Sequence, residues 1–494
     1  MSSSVFKFFL LAAIMCMAFV PSLLAAEPVP IRGCRPHPRT HVAKKAGRVA
    51  QQFSQAPDFY QGDRRQLVVL ASFSDRSFLQ EDPTEQWEII FNEHHLNTPP
   101  FFGSVRDYFF DQSYGKLRLD FDIYHISLGA NHAKYGSTKD EDENSQFLVN
   151  DIVDSLLLKD IDWSVYDWNG DGYVNQLLII YAGKGSSYGN FGGDSDAIWP
   201  HQWWLSEHID PQTGLPLEPR MVETGESTYL IDSYCAVQEL YSDGSYGSFG
   251  TICHEFSHCF GFPDFYNSYT SYPGMWDLMD KGNYNHGGFC PAGYSAHERM
   301  LMGWLTPTEL TSPTTVSSMA PLSSDSQAFL VRNDGFDDEY YIIENRQQQS
   351  WDTYLPGSGI IIFHIDYDRD LWEEGVPNSL SRQCYTIIPA NNRTYTSLCY
   401  GWAYPFATND SLTNSSQPAA TLFHANSDNT LFMSKPLYHF SVDDEGLASF
   451  QFLSPVASVD IPTRSTHSEK VLWRMGPVSI VRTADGKVKK VIAH

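Results

Sequence analysis

Two histidines and two carboxylates lie within residues 254–264, which read His-Glu-Phe-Ser-His-Cys-Phe-Gly-Phe-Pro-Asp and fit the pattern H-E-x-x-H-x-x-G-x-x-D. His254 and His258 are four residues apart, so on a helix they share one face and can bind one zinc ion. Glu255 is not needed as a ligand and lies where it can act as general base and acid toward water at the metal. The pattern predicts one catalytic zinc ion and metal-assisted hydrolysis.

The second half of the pattern supplies a third ligand. Gly261 can end the helix in a left-handed turn, which would bring Asp264 back toward the metal. The run Trp-Asp-Leu-Met-Asp follows at 276–280, and Met279 is the candidate for a hydrophobic floor beneath the ion, with Met275 as second choice. A helix with two ordinary surface histidines is the alternative, and the Gly and Asp at their offsets disfavour it.

Two residues outside the pattern are further candidates. Tyr284, five residues past Met279, is a candidate donor to the oxyanion that forms during hydrolysis. Cys34 lies in the basic run Arg-Gly-Cys-Arg-Pro, and a thiolate from a pro-region can occupy the open position of zinc and keep an enzyme latent. An ordinary unpaired or disulfide-bonded cysteine is the alternative for Cys34.

A second metal site is predicted at 167–175, where Asp-Trp-Asn-Gly-Asp-Gly-Tyr-Val-Asn matches the first nine positions of an EF-hand calcium loop. Gly172 can make the sharp turn that such a loop needs. Position 12 is Leu178 instead of the bidentate Glu, so we expect ligands from elsewhere to complete the site. A turn without metal is the alternative. The candidate calcium ligands are the side chains of Asp167, Asn169, Asp171 and Asn175 and the backbone carbonyl of Tyr173.

Composition limits the class of protein. The chain has 494 residues, a formal net charge of −26, 42% hydrophobic residues and 14% aromatic residues. Such a chain can form two to three globular domains with ordinary cores. The acidic excess argues against nucleic acid as a partner, because phosphates would be repelled. The acidic excess suits an exported protein instead.

The N-terminus has the features of a secretory signal peptide. Lys7 precedes an apolar stretch at 8–24, and residues 25–26 are small alanines suited to cleavage. A retained membrane anchor is the alternative, because the apolar stretch is fairly long. No later segment is apolar and long enough to span a bilayer. We therefore predict a signal peptide at 1–26, no stable membrane span after its cleavage, and a secreted or cell-surface protein.

The remaining chain divides into four predicted segments. These are a short pro-segment or flexible arm (27–62), a catalytic domain (63–305), a β-rich C-terminal domain (306–454) and a tail (455–494). Patterning predicts buried strands at 67–73 and 176–181, an alternating strand at 116–123, helices at 104–115 and 145–158, and a zinc helix from about 249. Beyond the linker near 306, it predicts strands at 340–344, 359–365 and 448–452.

Several blocks together resemble the immune inhibitor A family of secreted zinc metallopeptidases over roughly residues 65–370. The blocks are 254–264, Trp-Asp-Leu-Met at 276–279, Pro-Ala-Gly-Tyr-Ser-Ala-His-Glu-Arg-Met at 291–300 leading to Gly303-Trp304, 104–115, Ile-Trp-Pro-His at 198–201, Glu344-Asn345-Arg346, and Trp351-Asp352 through 356–359. Ser257 departs from the family, in which Gly is frequent at this position, and the pro-segment is shorter than in many relatives.

The resemblance implies an α+β fold: a metzincin-like zincin catalytic domain, with a mixed twisted sheet and an active-site helix, followed by the β-rich domain. It implies an endopeptidase that acts on proteins or peptides, with His254, His258 and Asp264 as zinc ligands and Glu255 as general base and acid. Two other functions stay open. One is a catalytically silent, calcium-stabilised surface adhesin on a zincin scaffold, and the other is a zinc hydrolase that acts on a non-peptide bond.

Overall fold

The computed structural model describes residues 58–136, 144–186, 197–241, 244–246, 249–266, 272–378, 382–394, 399–453, 470–475, 478–482 and 488–492. The predicted signal peptide, Cys34 and almost all of the predicted pro-segment lie outside the described residues. So does the first part of the predicted tail. Among the described residues, no helix combines the length and the apolar character needed to cross a bilayer.

The described ranges contain six α-helices and eighteen strands. The α-helices are α1 (Pro83–Asn92), α2 (Val105–Gln112), α3 (Ser145–Leu156), α4 (Phe249–Ser257), α5 (Ala296–Leu301) and α6 (Arg369–Glu373). The strands are β1 (Gly62–Ser72), β2 (Leu117–Ser127), β3 (Leu177–Lys184), β4 (His201–Trp204), β5 (Arg220–Thr224), β6 (Ser227–Ile231), β7 (Ser233–Leu240), β8 (Thr308–Glu309), β9 (Thr314–Met319), β10 (Phe329–Arg332), β11 (Glu339–Arg346), β12 (Gly359–Asp366), β13 (Tyr385–Ile387), β14 (Leu437–Val442), β15 (Ala448–Phe452), β16 (Lys470–Met475), β17 (Val478–Arg482) and β18 (Val488–Ile492).

The first sheet has the strand order β2-β1-β3-β7-β4. Three of its four strand pairings are parallel, and the edge strand β4 pairs antiparallel with β7. Side chains of β1 alternate between two cores: Val68 belongs to the cluster that includes Phe256 of α4, whereas Val69 belongs to the one that includes Ile152 of α3. Both faces of β1 are therefore covered, which explains its unbroken apolar run.

Local signals explain the helix preceding β2. Ser104 caps α2 by accepting a hydrogen bond from the N–H of Asp107, whose carboxylate accepts one from the N–H of Ser104. This reciprocal capping box satisfies two backbone donors that a helix start leaves open. Gly115 follows with φ 76°, a left-handed conformation that glycine adopts without strain. The predicted helix at 104–115 and the strand after it are confirmed, with α2 three residues shorter at its C-terminal end.

Beyond residue 306 the described chain forms mainly antiparallel sheets, as the β-rich prediction requires. One has the order β13-β12-β11-β10-β8 and another the order β14-β15-β9. The largest hydrophobic cluster contains Trp304 together with Phe363 of β12 and Tyr385 of β13. The boundary at 306 stays a prediction, and the two sides of it share this core.

A buried ionic cluster lies where the two parts meet. Arg346 is fully buried and donates two hydrogen bonds of 2.7 Å to the carboxylate of Asp352 and one of 3.1 Å to Glu344. The second Glu344 oxygen accepts the N–H of Ala296 at 2.6 Å, and Asp352 accepts the N–H of Gly293 at 3.0 Å. Three blocks of the family resemblance thus pack together and hold the chain entering α5.

Candidate active site

Helix α4 and the turn after it bring the three predicted ligands together. His254 lies in the last turns of α4, and His258 begins a 3-10 turn at His258–Phe260. Gly261 follows with φ 88° and ψ 12°, the left-handed conformation expected from its sequence position. The chain then reverses, and Asp264 Oδ1 lies 3.1 Å from His254 Nε2 and 3.6 Å from His258 Nε2.

These distances fit a metal site. Two ligand atoms 2.0–2.1 Å from a tetrahedral zinc ion are separated by about 3.3 Å. Asp264 Oδ1 is buried and makes no well-aligned hydrogen bond within the part of the chain that the structure describes. Each imidazole donates from Nδ1 to a backbone carbonyl, His254 to Leu278 at 2.9 Å and His258 to Phe262 at 2.6 Å. Both Nε2 lone pairs are therefore directed toward the centre of the cluster.

Glu255 lies beside this set and is completely buried. The candidate ligand atoms of His254, Glu255 and His258 also lie within 4.8 Å of one another, so Glu255 competes with Asp264 for the third ligand position. Glu255 Oε2 is 3.9 Å from His258 Nε2, farther than Asp264 Oδ1 is from either imidazole. These distances favour Asp264 over Glu255 as the third ligand, and the roles of both residues stay predictions.

The cluster stabilises positive charge. Burial lowers the pKa of His254, but the carboxylate of Asp264, 3.1 Å from its Nε2, together with the charge of Glu255, outweighs burial and raises that pKa to about 9. The same carboxylates would stabilise a divalent cation between the imidazoles.

The run at 276–280 lies directly against the zinc helix. Leu278 supplies the carbonyl that accepts from His254, and Met279 is fully buried. The backbone carbonyl of Met279 accepts the N–H of Phe265, the residue after Asp264, at 3.0 Å. Met275 lies on the preceding 3-10 turn and is only half-buried. Of the two methionines, Met279 is the fully buried one, and its role as a floor beneath the ion stays a prediction.

Tyr284 lies half-buried in the 3-10 segment Lys281–Gly288. Its role as oxyanion donor stays a prediction.

The predicted calcium loop is curled around its first carboxylate. Asp167 Oδ1 accepts the N–H groups of Gly170 and Asp171, and Oδ2 accepts that of Gly172 at 2.9 Å. Asn175 Oδ1 accepts the N–H of Trp168 at 2.6 Å. Gly170 and Gly172 have φ of 73° and 83°, so both glycines are required by the turn. Position 12, Leu178, is buried in β3, and calcium binding stays a proposal.

Asp277, Tyr385 and Asn378 form hydrogen bonds that support the turn at 276–280 and the residue after Asp264. Asp277 Oδ1 accepts the N–H of Met279 at 2.8 Å, and Asp277 Oδ2 lies 2.7 Å from the hydroxyl of Tyr385. Burial raises the pKa of Asp277 to about 7, although these hydrogen bonds lower it. Asn378 donates to the carbonyl of Phe265 at 2.7 Å. Nothing in the sequence marks Tyr385 or Asn378, because both lie more than a hundred residues beyond the zinc pattern.

The sequence of this chain is similar to a known family and to named proteins. Residues 63–302 match the immune inhibitor A peptidase M6 catalytic domain. Immune inhibitor A of Bacillus thuringiensis subsp. alesti is 25% identical over 269 residues, which cover 46% of this chain and 37% of that protein. The Pre-pro-metalloprotease PrtV of Vibrio cholerae serotype O1 (strain M66-2) is 25% identical over 253 residues, which cover 45% of this chain and 26% of that protein.

The similarity thus spans well under half the length of these relatives. The family match includes α4, the turn after it and the run at 276–280, and it ends before β8. Just under half of this chain, residues 63–302, is therefore similar to the immune inhibitor A peptidase M6 catalytic domain.

Proposed function

We propose that this chain is a zinc-dependent endopeptidase that hydrolyses peptide bonds in protein substrates. The observation that carries the proposal is the convergence of His254, His258 and Asp264 around one point, with Glu255 buried beside them. The matched family is a peptidase family and one similar protein is named a metalloprotease, which supports peptide bonds as the target.

In this proposal His254, His258 and Asp264 hold the metal. When bound there, zinc would polarise the scissile carbonyl and make water more acidic. Glu255 accepts the proton of the attacking water on its carboxylate and then donates it to the leaving amine nitrogen. The carbonyls of Leu278 and Phe262 keep both imidazoles in the orientation that binding needs. Burial of Glu255 keeps its carboxylate away from bulk water.

Export and maturation belong to the same proposal. One similar protein is named a pre-pro-metalloprotease. That name supports a signal peptide at 1–26 of this chain and a pro-segment after it. Any maturation cleavage should precede Asp58, because Tyr60 is fully buried and its backbone carbonyl accepts a 2.9 Å hydrogen bond from Trp304 Nε1. Cys34 as a latency residue stays part of the proposal.

The calcium-stabilised adhesin and the non-peptide hydrolase remain the competing functions. A binding protein has no need of a buried carboxylate beside two oriented imidazoles, and this geometry favours an enzyme. The metal cluster by itself does not distinguish peptide from other bonds. Only the family match favours peptides.

Cleavage of denatured casein by the purified chain tests the function. We expect Glu255→Ala to lower kcat/KM by between about 10²- and 10⁴-fold, because proton transfer is lost, while zinc content stays at that of the parent chain. Glu309→Gln, at an exposed carboxylate of β8, is the matched control and should retain activity. Equal activity of Glu255→Ala and the parent would contradict the mechanism. A zinc-loaded parent that cleaves no protein would favour one of the competing functions.

A further inference from the structure

We propose that Tyr385, which lies on β13 and outside the family-matched segment, is a positioning residue for the zinc ligands. Its ring contacts Phe265, the residue after Asp264. Its hydroxyl contacts Asp277, which lies in the turn that orients His254. The β-rich part of the chain would then complete the metal site of the peptidase domain. The inference rests on the zinc-dependent function proposed above.

The first contact is made by the ring. Tyr385 stacks on Phe265 with ring centroids 3.9 Å apart and an interplanar angle of 22°. Phe265 directly follows Asp264, and its N–H donates to the carbonyl of Met279 at 3.0 Å. Its own carbonyl accepts from Asn378 Nδ2, which also donates to the carbonyl of Tyr385, each at 2.7 Å. The residue next to the third ligand is thus held on one side by the turn at 276–280 and on the other by β13.

The second contact is made by the hydroxyl. It lies 2.7 Å from Asp277 Oδ2 and 2.7 Å from Ser295 Oγ. A phenol has one proton, so it donates to the carboxylate and can accept from the serine. The other Asp277 oxygen accepts the N–H of Met279 at 2.8 Å and so shapes the turn that presents the Leu278 carbonyl to His254. Three consecutive hydrogen-bonded links therefore join Tyr385 to an imidazole ligand.

Burial raises the cost of losing these contacts. Tyr385, Asp277 and Phe265 are all completely buried. Without the hydroxyl, Asp277 Oδ2 would lose a donor in a place where water cannot easily replace it, and the turn would have to relax. Outer groups that orient a metal ligand typically change metal affinity by about 10- to 100-fold when they are lost.

The competing explanation is that Tyr385 is an ordinary core residue whose loss lowers stability alone. Tyr341 of β11 is the matched control, because it is also a buried tyrosine and donates one 2.6 Å hydrogen bond, to the carbonyl of Thr421 in the β-rich part. Tyr385→Phe and Tyr341→Phe each remove one hydroxyl from the full chain and keep the ring. Zinc dissociation constants from competition with a chelator, and the visible absorption spectrum of the cobalt(II)-substituted protein, are measured for both.

We expect Tyr385→Phe to bind zinc about 10- to 100-fold more weakly than the parent and to change the cobalt spectrum. Tyr341→Phe should match the parent in both measurements even where its thermal midpoint falls. Parent-like zinc affinity and spectrum in Tyr385→Phe would overturn the inference while leaving the proposed function intact. A parent chain that binds no zinc would overturn both.

A second variant keeps the inference testable if Tyr385→Phe does not fold. Asn378→Ala removes the amide that links Phe265 to Tyr385 but leaves the hydroxyl in place. We expect weaker zinc binding here too, because the segment that carries Asp264 loses one of its two supports. Unchanged zinc affinity in Asn378→Ala would contradict the role of β13 in holding the third ligand.

Discussion

Backbone carbonyls orient the two imidazoles of the candidate site. His254 and His258 each use Nδ1 to donate to a carbonyl, so that Nε2 is the atom available to a metal. Ser257, which departs from the frequent glycine of the family, donates to the carbonyl of Cys253 at 2.6 Å and contacts the hydroxyl of Tyr294. Its hydroxyl is therefore satisfied, and it links α4 to the block that begins α5.

His297 gives the first prediction at this scale. It is completely buried among aromatic side chains, and burial lowers its pKa to about 3. Its unfolded-state pKa is about 6.5. The folded state then binds fewer protons than the unfolded state between these values, so the free energy of unfolding falls as pH falls below 6.5. The loss from this residue is at most about 1.4 kcal/mol per pH unit.

Replacing the imidazole should remove this contribution. We expect His297→Gln to be less stable than the parent at pH 7.5 and the difference to shrink as pH falls toward 4. Thermal midpoints of both proteins at several pH values measure it, and loss of metal in acid affects both alike. His439→Gln replaces an exposed histidine and is the matched control. A constant difference between the parent and His297→Gln across the range would contradict the prediction.

At the scale of elements, the turn after α4 brings the third candidate ligand to the two histidines of the helix. A helix places two histidines on one face by itself, but the third ligand requires the chain to reverse. Gly261 makes that reversal in the left-handed region, and Asp264 then faces both imidazoles. The capping of α2 and the apolar run of β1 are equally local, which is why their sequence patterns were informative.

Gly261→Ala tests the turn. A side chain in the left-handed region costs about 1 kcal/mol of stability, and any relaxation of the turn moves Asp264. We expect zinc affinity to fall by at least about tenfold, measured by chelator competition. Gly214→Ala is the matched control, because Gly214 has φ 67°, open space around it and an exposed position. If both variants lose stability equally and neither loses zinc affinity, Asp264 does not depend on this turn.

The loop at 167–175 gives a second prediction for an element. Calcium that binds only the folded state raises the thermal midpoint. We expect millimolar calcium to raise the midpoint of the zinc-loaded parent and to have no such effect on Asp171→Ala, which lacks one candidate ligand. Asp444→Ala, at another exposed aspartate, should respond like the parent. No shift with calcium in the parent would favour the metal-free turn.

At the scale of the whole molecule, the peptidase domain and the β-rich part share a core and an ionic cluster. Arg346 and Glu344 of β11 hold residues 293–296, and Trp304 packs in the same hydrophobic cluster as Phe363. The family match ends at 302, yet these contacts continue across that point. We therefore expect the two parts to unfold together.

Arg346→Leu tests that expectation. It leaves Glu344 and Asp352 buried without their shared partner, which should cost about 3–5 kcal/mol of unfolding free energy. Arg332→Leu removes a partly exposed pair with Glu309 and should cost about 0–1 kcal/mol. Urea unfolding followed by fluorescence gives both values. Similar costs for the two variants, or separate transitions for the two parts, would show that the cluster does not couple them.

The sequence by itself determined what depends on near neighbours along the chain. The i, i+4 histidines, the glycine turn, the capping box at Ser104 and the apolar run of β1 all follow from local geometry. Strand patterns predicted the β-rich end, and the family resemblance implied the α+β fold. The resemblance also included the blocks at 291–300 and 344–346, without indicating that these blocks pack against each other.

Only the tertiary structure decided which distant residues support the site. Tyr385 and Asn378 contact Phe265, and Tyr385 also contacts Asp277, because β13 packs against this part of the chain. No local pattern encodes that pairing. The buried cluster of Arg346 is similar, since its charges are tolerable only when partners from three segments arrive together. Long-range packing thus supports candidate ligands that a short stretch of sequence had predicted.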